Sequence, residues 1–86
     1  MQNVLSFQQD NKKYVSKPFD FEALCLVNDK HGDEGVGVMR MTTDAVNYLF
    51  EGTEATDEVI NKLSPSTRAR LCKEVWNMYL EALKNG

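Results

Sequence analysis

The order of apolar and polar positions changes twice along the chain. Residues 3–8 (NVLSFQ) and 12–17 (KKYVSK) alternate, and Asp10-Asn11 lies between them. Asp and Asn tolerate positive φ, so the pair predicts a two-residue turn and a β-hairpin over 3–17. That register sets Gln9 opposite Lys12 and Phe7 opposite Tyr14. Leu5, Phe7 and Tyr14 then share one face, and Val4 and Val15 fall on the other. A two-stranded ribbon is not stable alone, so one face must pack on helices.

After Pro18 the spacing becomes helical. Asp20 is a candidate N-cap for a helix over about 20–28, with Phe21, Leu24, Cys25 and Val27 or Asn28 at inward spacing. Its run ALCLV is apolar nearly all round, which places this helix at the centre of the core. VGVMRM at 36–41 reads either as a short strand or as an extended entry to the next helix, the second being favoured. Thr42 or Thr43 caps a helix over about 43–51, with Asp44 in its first turn. Ala45, Val46, Leu49 and Phe50 form its stripe, and Gly52 stops it. Thr53 or Thr56 opens a short helix over about 56–63, with Val59, Ile60 and Leu63 inward. Ser64-Pro65 announces a last helix over 65–84. Leu71, Val75, Met78 and Ala82 line one side of it, and Cys72, Trp76, Tyr79 and Leu83 line an adjacent side. The band is wider than one packed layer needs. The expected fold is therefore α+β: a small, mostly helical domain of about four helices with an N-terminal hairpin, spanning 1–86 as one unit.

Length and composition refine this picture. Eighty-six residues bury roughly 60–65% of the unfolded surface, so the core is thin and a partner or a second copy would help it. A hydrophobic fraction of 42% argues against wholesale disorder. Residues 1–10 (MQNVLSFQQD) have neither the basic start nor the long apolar run of a signal peptide, and no segment matches a membrane span. The expectation is a cytoplasmic protein with no membrane partner. The net charge of −3 makes a poor general nucleic-acid binder. The charge is uneven, however. Acids crowd the middle of the chain, whereas Arg68, Arg70, Lys73 and Lys84 make the last helix basic.

The stretch NDKHGDEGVG, Asn28 to Gly37, holds the only histidine, His31. Asp29, His31 and Asp33 alternate like the start of a calcium loop. The sixth and twelfth positions are then Glu34 and Arg40, where glycine and a bidentate acid are required. One histidine falls short of a zinc site. The stretch reads as a solvated connection between the first two helices. Cys25 and Cys72 read as buried thiols rather than nucleophiles or a disulfide. No catalytic residue, cofactor site or metal site is expected, and the chain does not read as an enzyme. Trp76 and Tyr79 are the candidate partner-binding residues, against the plainer reading of both as core.

Lys13-Tyr14, the run PFDFEALC at 18–25, YLFEGT at 48–53 and LCKEV at 71–75 carry a wider likeness. In order and spacing the chain resembles the small tail assembly chaperones of long-tailed bacteriophages and prophages. The resemblance implies a non-enzymatic assembly factor in the cytoplasm of a bacterial host. Such a factor binds the tape measure protein, a long helical rod, keeps it soluble and recruits tail tube subunits. It leaves before the tail is finished. The chain would correspond to the short form of a pair whose longer member arises by translational frameshifting. The alternative is a small regulatory nucleic-acid-associated protein using the basic last helix, against which the net acidic charge argues.

Overall fold

A computed structural model describes residues 3–32 and 35–85. The fold is α+β: an antiparallel hairpin of β1 (Ser6–Gln9) and β2 (Lys12–Val15) precedes α1 (Phe21–His31), α2 (Val38–Phe50), α3 (Asp57–Asn61) and α4 (Pro65–Asn85). The hairpin follows from its turn. Asp10 and Asn11 have φ of 53° and 64°, the left-handed pair that a mirror-image two-residue turn needs. Phe7 pairs with Tyr14 and Gln9 with Lys12, as the alternation predicts. The Phe7 and Tyr14 rings stack at 5.1 Å, and the edge of Phe7 meets Phe50 of α2 at 5.3 Å. Leu5 and Phe7 are buried, whereas Val15 faces outward.

Ser16 ties the ribbon down, and its role is invisible in the sequence. Its buried Oγ accepts the Leu5 N–H at 2.7 Å and donates to the Lys17 carbonyl at 2.8 Å. The Lys17 N–H then donates to the Leu49 carbonyl at 2.9 Å, joining the hairpin to α2.

Three helix boundaries differ from the sequence expectation. Instead of ending near residue 28, α1 runs to His31 because its last turn packs on α4. A Lys30–Asp44 ion pair at 3.3 Å also fastens that turn to α2. Gly37 caps α2, which begins at Val38, five residues before the expected start at 43. Met41 and Thr42 are buried and carry the inward stripe a turn earlier than Ala45 and Val46. Thr42 and Thr43 do not cap. Their hydroxyls donate back to the carbonyls of Val38 and Met39 at 2.8 and 2.6 Å, inside the helix. Asp44 accordingly lies mid-helix rather than in the first turn. α3 is shorter than expected, ending at Asn61, although Leu63 beyond it is still buried.

The expected inward face of α1 also needs correcting. Phe21 is 78% exposed, whereas Ala23 and Val27 are fully buried. Residues two apart on a helix lie about 200° apart, so burying Ala23 turns Phe21 to solvent. Leu24 and Leu26 only flank the core, so α1 is not its centre. That place belongs to α2, which packs against both α1 and α4. Its Leu49, with Leu71 and Val75 of α4, is wholly buried. Each such side chain contributes about 2 kcal/mol by leaving water.

Candidate functional site: the C-terminal half of the last helix

Ser64 starts α4 as the sequence predicts. Its Oγ accepts the Thr67 N–H at 3.2 Å, and Pro65 takes the first helical position. Leu71, Val75, Met78 and Tyr79 point into the core. The aromatic pair lies where α4 meets the end of α1. Asn28 and His31, three residues apart and so on one face of α1, oppose Trp76 and Tyr79, three apart on α4. Tyr79 is only 2% exposed, and its hydroxyl donates to Asn28 Oδ1 at 2.8 Å. The Trp76 ring stacks on Tyr79 at 5.3 Å and under His31 at 5.8 Å. His31 therefore belongs to an aromatic stack at a helix end and not to the connection expected from the sequence. Trp76 is half-buried. Of the two candidate partner-binding residues, Tyr79 lies in the core and Trp76 keeps an outer edge.

Two neighbours extend that edge. Leu80 and Leu83 are 45% and 52% exposed. With Trp76 they stand at i, i+4 and i+7, a single apolar stripe on the last turns of α4. Sequence reasoning placed Leu83 in the band and missed Leu80. The signal was present in the band's excess width, but only the packing shows which side is left over.

The remaining candidates are placed as follows. Cys72 is buried, with Sγ 3.9 Å from the Met39 carbonyl, whereas Cys25 is half-buried; both are free thiols. Asp33 and Glu34 lie outside the described residues. Among the described residues no group of three or more His, Cys, Asp or Glu side chains is placed to hold a metal ion. Among them, no helix is long and apolar enough to cross a membrane. Of the basic residues of α4, Lys73 and Lys84 are exposed. Arg70 donates to Glu74 at 2.7 Å and to the Ser6 carbonyl at 3.1 Å, and Arg68 lines a groove with Glu22, Glu51 and Asp57 but makes no ion pair with them.

One further polar constellation links α1 to α2. The Tyr48 hydroxyl donates to Asp20 Oδ2 at 2.6 Å while Asp20 Oδ1 caps the Ala23 N–H at 3.0 Å. The Tyr48 bond, then the Ala23 bond, hold the Asp20 carboxyl below its ordinary value. The same bond, followed by burial and the charges of Asp20, Glu22 and Glu51, pushes the Tyr48 phenol up to about 12.

Comparison with protein-family models, curated proteins and solved structures finds no match.

Proposed function

We infer that the protein is a non-enzymatic tail assembly chaperone of the short-form kind, acting in the cytoplasm of a bacterial host. It binds the tape measure protein and helps to bring tail tube subunits to it. The reading rests on the resemblance in 13–14, 18–25, 48–53 and 71–75, and one structural observation carries the binding step. The outer edge of Trp76, with Leu80 and Leu83, leaves an apolar stripe on α4 that no other element among the described residues covers. A helical rod exposes stripes of the same periodicity, so two such helices bury apolar surface against each other. A stripe this narrow binds weakly, which suits a factor that must leave.

Co-expression with the tape measure protein of the same phage or prophage tests the reading. The expected result is a soluble rod that co-elutes with the chaperone. The variant Leu80→Ser/Leu83→Ser should lose the complex while its melting temperature stays close to that of the parent, because both side chains are already half in water. An insoluble rod and no complex on gel filtration would overturn it.

A further inference from the structure

A groove of about 540 Å3 opens at the other end of the molecule, where the first half of α1, the second half of α2, α3 and the first turn of α4 meet. Its lining is mixed: Leu26, the Tyr48 ring and the buried Ile60 supply an apolar floor among polar side chains such as Asn47 and Asn61. Its rim is acidic. Glu22, Glu51 and Asp57 are all exposed, and among the described residues none has a cationic partner within ion-pair distance. Asp44 stands on the same rim but is held by Lys30. Arg68 is the one cation among the lining residues. The fold leaves these like charges gathered around an apolar hollow, an arrangement that costs stability unless something offsets it.

The geometry points to a docking site for a partner-protein segment in which an apolar side chain is flanked by lysine or arginine. The apolar residue fills the hollow over Ile60 and Leu26. The flanking cations meet Glu22, Glu51 and Asp57, whose charges are complementary in sign and unspent. Nucleic acid is disfavoured, because its phosphates would face the same carboxylates. Glu22 and Glu51 both add to the rise of the Tyr48 phenol, after its bond to Asp20 and its burial. The site does not depend on the α4 stripe, since it uses other residues at the opposite end of that helix.

The test uses the whole chain and a synthetic Leu/Lys amphipathic helix of about 18 residues, five turns long. Titration is followed by amide chemical shifts. Binding should perturb residues around 22–26, 47–51 and 57–61 and should weaken as salt is added. Glu22→Gln/Glu51→Gln/Asp57→Asn should weaken it at least about tenfold, roughly 1.4 kcal/mol. A peptide with serine for leucine should lose a similar factor. Should the triple variant melt lower than the parent, Glu51→Gln alone, on an exposed position, carries the comparison with a severalfold loss. Equal affinity of parent and charge variants overturns the proposal. So does equal affinity of the serine peptide, which would make the contact one of charge only. Shifts confined to 76–83, with none at 22–26, 47–51 and 57–61, or no binding at low salt, also overturn it. None of these readings involves the tape measure protein, so the two proposals fail separately.

Discussion

At the scale of single residues, the chain is specified by small polar side chains that each hold two backbone segments. Asp20 is the clearest case. Its N-cap role was legible, because Asp two residues after a proline and before an apolar run is a helix start. Its bond to Tyr48 was not, since the partner lies 28 positions away on another helix. The bond gives a defined pH dependence. Asp20 titrates lower in the folded chain than in the unfolded one. Its contribution is therefore present above the ordinary carboxylate range, near pH 4, and is lost as pH falls through the folded value. Tyr48 is raised, so its contribution is full below pH 10 and disappears as pH rises through about 12. Ultraviolet titration should show a tyrosine step near pH 12 that Tyr48→Phe removes. The same variant should let the Asp20 carboxyl titrate higher by NMR, though still below normal, because the Ala23 N–H remains. An unchanged Asp20 titration would show that the hydroxyl makes no such bond.

At the scale of elements, what the sequence disclosed divides by the range of the forces involved. The hairpin register followed from two residues with positive φ and a period of two, both local properties. The start of α4 followed from Ser64-Pro65 in the same way. The ends of α1 and the start of α2 depend on what each helix meets. Asn28 to His31 stay helical because Trp76 and Tyr79 pack on them, and no local propensity announces that. The threonines at 42 and 43 misled because a threonine that bonds back to a carbonyl looks, in sequence, like a cap. The real N-cap, Gly37, has no side chain to offer, and the first turn of α2 carries no acid. Its φ of −85° and ψ of 171° are open to any residue, and a Cβ there would meet nothing within 4 Å. Gly37→Asp should therefore stabilise the protein by about 0.5–1 kcal/mol, through the cap bond, the helix dipole and a stiffer unfolded chain. Thermal or urea unfolding measures it. A lower midpoint would mean that α2 does not begin at Val38.

At the scale of the whole molecule, two uncovered surfaces lie at opposite ends of α4, and they differ in kind. One is an acidic groove with an apolar floor and the other a narrow apolar stripe. Of the other exposed apolar residues, Phe21 is in the first turn of α1, Val15 is on the outer face of the hairpin, and Met39 is in the first turn of α2, its carbonyl 3.9 Å from Cys72 Sγ. A lasting dimer buries about 800 Å2 on each partner, from some 20–30 residues. Trp76, Leu80 and Leu83 fall well short of that. The chain should therefore run as a monomer in sedimentation experiments at concentrations up to the tens of micromolar, with Trp76 emission unchanged on dilution. Its emission should shift to the blue only when a helical client is added, as the outer edge of the indole leaves water. A dimer that persists on dilution, with Trp76 already shielded, would mean that a second copy covers the stripe. The client would then have to displace that copy or bind elsewhere, and the helix-on-helix reading of α4 would fail.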